Sequence, residues 1–186
     1  DLHEDNVIYL NYKNSVNHLL TLVESYDLEF KETAFSDFKN NKHEKVVHSL
    51  MKTICAFLNS EEGGRILVGV SDSKEIIGID TELQSQFLKK KNKDGYELKL
   101  RDNIQYWISS LANQDVKILF EEIENKIICK INVEPSRYNA VFLTSPKSTN
   151  LGYLAHYYVK SGNRVDQLLG QEMIDHIIDL HYICDE

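Results

Sequence analysis

The chain has 186 residues, 42% of them apolar and 27% charged, enough for one buried core and ordinary for a globular domain. Acidic residues outnumber basic ones 29 to 21, for a net charge of -8. That balance argues against broad, sequence-blind binding to nucleic acid, and it leaves room for a local basic groove or a carboxylate-rich metal site.

Residues 1–13 mix charge, Asn and Tyr without a period and read as an arm; the domain proper is expected from 24 to 186, after an arm and helix over 1–23. Val16, Leu19, Leu20 and Val23 fall at helical spacing, predicting a short helix from about 15 to 23. Leu28-Glu29-Phe30-Lys31-Glu32 alternates as a strand does. The polar stretch 36–42 reads as a loop or flap. From 43 to 59 a broad apolar stripe (Val47, Leu50, Met51, Ile54, Phe57, Leu58) predicts a helix packed on a sheet, ended by Gly63-Gly64. Arg65–Val70 reads as a strand buried on both faces, followed by a turn at 71–75 and a returning strand at 76–79.

Asp80 or Thr81 is placed as the N-cap of a helix running through Leu88, and a second helix is predicted from 98 to 112. Strands at 116–123 and 126–133 are joined by a tight turn at Glu124-Asn125. Short strands at 140–144 and 153–160 and a helix at 167–181 complete the chain. The predicted class is α+β, a mixed β-sheet packed with helices.

The three cysteines, Cys55, Cys129 and Cys184, form no CxxC pair, so neither a zinc site nor a disulfide framework is supported, and a reducing, cytoplasmic setting is expected. No apolar run reaches the ~20 residues a bilayer crossing needs, so no membrane partner is expected. The chain begins at Asp1, and a piece of a larger multidomain protein is expected.

Four residues carry the candidate chemistry: Glu24, Glu29, Lys31 and Asp72. Divalent ions such as Mg²⁺ take carboxylate oxygens and can generate hydroxide beside a phosphate. Glu29 and Lys31, two apart on a strand, share a face; Glu24, five residues before Glu29, joins them only if the chain bends at Ser25–Asp27. Spacing alone equally fits solvent-facing charges alternating with Leu28 and Phe30. The loop Lys89-Lys90-Lys91-Asn92-Lys93 is a candidate phosphate contact or a solvated loop, and Lys160 and Arg164 flank the Gly162 turn as further candidates. Tyr153, Tyr157 and Tyr158 read as core residues rather than base-stacking platforms. His43/His48 and His176/His181, each five apart, do not share a helix face. Gly63-Gly64 is followed by no Gly-Lys-Ser/Thr, which argues against an ATPase.

The ordered set Glu24-Ser25, Leu28-Glu29-Phe30-Lys31, Ile54–Asn59, Gly63-Gly64, Ile66–Asp72, Ile77-Gly78-Ile79, Val133–Ser136, Ala140–Leu143 and Tyr157–Asn163 resembles the Schlafen AlbA-like domain over about residues 22–180. In the animal Schlafen ribonucleases two glutamates and an aspartate form a site that cuts tRNA-like RNA with Mg²⁺ or Mn²⁺. The resemblance implies that Glu24, Glu29 and Asp72 are the metal ligands here, assisted by Lys31; Ser71 stands where the family usually has another acid. It implies a metal-dependent endoribonuclease, acting on RNA and with DNA as the other candidate, as the effector domain of a defence protein. Animal Schlafens join two such lobes, so a homodimer is the analogous arrangement for this single lobe. The alternative is a non-catalytic nucleic-acid-binding or regulatory module of the same fold, as many bacterial relatives are described.

Overall fold

A two-residue turn sets the register of the central hairpin. Glu124 and Asn125 take φ of 52° and 59°, the left-handed pair whose twist matches that of the flanking strands. The computed structural model that shows this describes residues 15–36, 43–136, 140–149 and 152–182. Its elements are α1 (Val16–Leu19), β1 (Leu28–Lys31), α2 (His43–Leu58), β2 (Gly64–Val68), α3 (Asp80–Leu83), α4 (Lys93–Trp107), β3 (Val116–Ile123), β4 (Lys126–Val133), β5 (Phe142–Thr149), β6 (Gly152–Ser161), β7 (Arg164–Leu168) and α5 (Gly170–Tyr182). The predicted α+β class holds, with two sheets rather than one: a four-stranded sheet in the order β1-β2-β4-β3 and a three-stranded sheet in the order β5-β6-β7.

The four-stranded sheet is mixed. β1 runs parallel to β2, with Glu29 beside Ile66 and Lys31 beside Val68; β2 with β4, and β4 with β3, are antiparallel. β2 lies inside the sheet, and Ile66, Leu67 and Val68 are fully buried, as a nearly continuous apolar run requires. Ile66, Val68, Cys129 and Ile131 face the main core with Leu50, Ile54 and Phe57 of α2 and Tyr96, Leu100 and Ile104 of α4. Leu28, Phe30, Leu67 and Ile128 face a smaller core closed by Val16 and Leu19 of α1. The predicted first helix therefore packs into the fold; residues 1–14, which hold the predicted arm, and 37–42 of the predicted flap lie outside the described residues.

Several elements differ from expectation for local reasons. The first helix stops after one turn, where the Thr21 hydroxyl donates to the His18 carbonyl at 2.7 Å. α3 is likewise one turn, and Asp80 in it accepts the Ile127 N–H. α4 starts at Lys93, five residues early, because Asn92 caps it through Gly95 N–H at 2.9 Å. The returning strand at 76–79 is reduced to a single bridge between Val70 and Ile76. β7 is a strand where a turn and helix start were expected, and the last helix begins at Gly170.

Gly63-Gly64 has a packing reason in place of a phosphate-binding one. Gly63 sits at φ +72°, and a Cβ on Gly64 would lie 2.3 Å from the Phe57 ring. Asn59, fully buried just after α2, ties the end of that helix to the three-stranded sheet. Its Nδ2 donates to the Val141 and Tyr158 carbonyls at 2.7 and 3.0 Å, and its Oδ1 accepts the Val141 N–H at 2.8 Å. Among the described residues no helix is long and apolar enough to cross a membrane.

Candidate functional site

The expected bend before β1 is present. Ser25 N–H donates to the Leu28 carbonyl at 3.0 Å, and the Ser25 hydroxyl donates to Asp27 at 2.6 Å. Arg65 of β2 pairs with the other oxygen of Asp27. The carbonyls of Asp27 and Lys31 point toward β2, so by alternation the Phe30 N–H points to the open edge of β1. Glu24 Oε1 accepts it at 2.7 Å. The carboxylate of Glu24 thus satisfies an edge donor on the residue next to Glu29.

Glu29 and Lys31 project from the face opposite Leu28 and Phe30, toward the main core rather than into free solvent. Glu29 is held between two ammonium groups, Lys31 Nζ at 2.5 Å from Oε1 and Lys160 Nζ at 2.7 Å from Oε2. Lys160 arrives from β6 of the other sheet with its side chain only 1% exposed. Its Nζ also lies 5.5 Å from the centre of the Phe57 ring, within cation–π reach. Burial of Glu29 opposes ionisation, but Lys31 and Lys160 more than offset it and hold the carboxyl below the ordinary carboxylate range.

Asp72 stands exposed on the turn after β2. Ser71 builds that turn: its hydroxyl accepts the Glu75 N–H at 3.0 Å, and its carbonyl accepts the Lys74 N–H at 2.8 Å. Glu24, Glu29 and Asp72 are not drawn together, and no group of three His, Cys, Asp or Glu among the described residues is placed to hold a metal ion. As arranged, these residues do not fit a divalent cation. Glu24 is engaged by a backbone N–H, Glu29 by two lysines, and Asp72 belongs to a separate turn.

The predicted basic contacts divide. Lys89, Lys90 and Lys91 are exposed on the loop that leads into α4, and Lys93 is exposed as the first residue of that helix. Arg164 is 73% exposed and 3.5 Å from Asp166. Lys160 is a correction: its buried ammonium is engaged with Glu29 and cannot reach an external phosphate. Tyr157 and Tyr158 are buried, as expected of core residues; Tyr157 O–H and His176 Nδ1 lie 3.1 Å apart. The Tyr153 side chain lies outside the described residues.

Sequence reasoning missed two features. Glu82, in α3, is a buried carboxylate receiving the N–H groups of Ala34, Phe35 and Ser36 at 3.1, 2.8 and 2.9 Å and the Tyr96 hydroxyl at 2.8 Å. It fixes the chain just beyond β1. A cleft of about 260 Å³ also opens beside the Glu29 cluster, lined by Ser60–Glu62, by Val159, Lys160 and His176, and by Tyr26. Glu62 continues into a polar cleft of about 320 Å³ that holds Asp27, Arg65 and Asn132. Glu82 lies 46–48 residues from the amides it binds, and Lys160 lies 131 from Glu29. No local pattern marks either pairing.

A family model described as Schlafen, AlbA_2 matches residues 24–169. Among solved structures, the chain is similar to the DIP2311 protein from Corynebacterium diphtheriae, with a TM-score of 0.53 and 13% identity. The match covers 84% of this chain and 27% of that one, so the likeness is one of fold, to part of a longer protein.

Proposed function

Because this chain belongs to the Schlafen, AlbA_2 family, whose domains are nucleic-acid-related, we propose that it is an RNA-binding domain. The observation that carries this reading is the exposed Lys89–Lys93 loop. Four lysines within five positions, on a chain of net charge -8, repel one another at the positive end of the α4 dipole. A bound polyanion relieves that repulsion, and exposed Arg164 is a further phosphate partner. RNA rather than DNA follows the family resemblance. Replacing all four lysines by glutamine is expected to weaken binding of labelled tRNA, measured by fluorescence anisotropy, and to flatten its salt dependence. Every phosphate that the variant leaves unneutralised takes about 0.7–0.9 from the log–log slope. An unchanged slope and affinity would sink this reading.

A second reading is a metal-dependent, tRNA-directed endoribonuclease using Glu24, Glu29 and Asp72, with a homodimer and a defence role as its further parts. It is favoured by the family match, whose span contains all three acids, and it requires Glu24 to leave the Phe30 N–H. Mg²⁺ or Mn²⁺ would supply an activated water and charge stabilisation at phosphorus, but Glu29 must first be freed from its lysines. On this reading tRNA is cut in Mn²⁺, spared in chelator, and spared by Asp72→Ala. Asp72 is exposed, so the variant keeps its fold, and undiminished cleavage by it excludes the triad.

A further inference from the structure

Neither the lysine loop nor the carboxylate triad uses the cleft beside Glu29. At about 260 Å³ it is smaller than the ~300–1,000 Å³ of drug-sized sites and suits one planar ring system. Most of its polar groups are already engaged. Asn59 is bonded to Val141 and Tyr158, Lys160 to Glu29, and His176 Nδ1 to Tyr157. The Ser60 hydroxyl donates to the Phe57 carbonyl at 2.8 Å and accepts the Gly63 N–H at 3.0 Å.

What faces an occupant is therefore narrow. Glu61 and Glu62 are exposed carboxylates with no hydrogen-bond or ion-pair partner among the described residues. Tyr26, which also lines the cleft, is 55% exposed and is the exposed aromatic side chain there. Two carboxylates repel a phosphate, so the backbone of a nucleic acid stays outside. They accept N–H groups, so the ring that enters must present donors, and the tyrosine supplies a stacking surface. Unpaired RNA bases are recognised in this way, splayed out, stacked on an aromatic side chain and bonded along the Watson–Crick edge. Guanine alone presents two adjacent donors, N1–H and N2–H, to a single carboxylate; cytosine and adenine present one amino group and uracil one imide N–H.

We propose that this cleft is a base-recognition pocket for a guanine unstacked from single-stranded RNA, read by Glu61 and Glu62 and stacked on Tyr26. The inference rests on the RNA-binding reading and adds its sequence preference. The test is anisotropy on labelled eight-residue oligouridylates with a single central G, A or C, compared with the all-U strand. Wild-type protein is expected to bind the G strand roughly 10-fold more tightly than the all-U strand. Glu61→Ala/Glu62→Ala is expected to bring that ratio to about one while all-U binding holds or rises as repulsion is removed. Tyr26→Ala is expected to weaken the G strand roughly 10-fold. All three residues are solvent-exposed, so the variants keep the fold. Equal wild-type binding of G and all-U strands, or a G preference that survives the double variant, overturns the pocket and leaves RNA binding standing. Failure to bind any strand at low salt overturns both.

Discussion

Glu29→Ala is expected to destabilise the domain by about 3–5 kcal/mol, and Lys160→Met by only about 1 kcal/mol. The asymmetry follows from burial. Removing the carboxylate leaves the Lys160 ammonium, 1% exposed, beneath Phe57 with its ion partner gone. Removing the ammonium leaves Glu29 with Lys31, which has access to water at 24% exposure, while the methionine chain refills the space of the lysine stem. Urea unfolding of the two variants measures the difference, and equal losses would show that the pair is not a buried charge centre. The pH dependence has a defined sign. The folded carboxyl titrates below its unfolded value, so the contribution of Glu29 is complete above the ordinary carboxylate range and is lost as pH falls through the depressed folded value. Function is affected as well: an absence of RNA cleavage in Glu29→Ala alone would not distinguish a missing metal ligand from a loosened fold, whereas exposed Asp72 separates the two.

Glu82→Ala is expected to cost about 4 kcal/mol, because it strands the three amides of Ala34–Ser36 and the Tyr96 hydroxyl in the interior. Glu82→Gln recovers part of the loss, since its oxygen can keep the Phe35 and Ser36 amides while its NH₂ faces the Ala34 N–H, donor against donor. Thermal unfolding gives the magnitude, and amide exchange at residues 34–36 gives the location. A loss under about 1 kcal/mol, with these amides still protected, would mean that they are satisfied by other groups. Since the segment continues directly from Lys31, release of this anchor should loosen the C-terminal end of β1 as well.

Elements with strong local signals are legible in the sequence. The β3–β4 hairpin reads at its observed limits because two eight-residue runs rich in Val and Ile meet a turn suited to left-handed residues. The long helix ending near Asn59 is marked by its apolar stripe. α4 reads late because its first turns are polar and Leu98 is 46% exposed, so its start is set by the Asn92 cap rather than by periodicity. β5 reads short at the Ser145–Thr149 stretch, which contains Pro146; the strand continues there with a shift in register. β7 is only five residues long and follows a glycine turn, too brief for alternation to separate it from a helix start.

The site divides on the same principle. Glu24, Glu29 and Lys31 are close in sequence, and their approach follows from a bend and a period of two. Lys31, the stronger influence on Glu29, is two residues away, but its second partner, Lys160, comes from another sheet, and nothing near residue 160 marks that lysine as buried. Asp72 can be assigned to a turn, but the direction of that turn depends on Ser71 and the backbone beyond β2.

The cleft beside Glu29 has one wall from the turn between α2 and β2 and the other from β6 and α5. Its two sides therefore belong to different layers, joined across the seam by Asn59 and by the Lys160–Glu29 pair. A molecule lodged there is a third fastening between the layers. By mass action it raises the free energy of their separation with its own concentration, so occupancy of the cleft can be heard as a rise in melting temperature, with no chemistry at all.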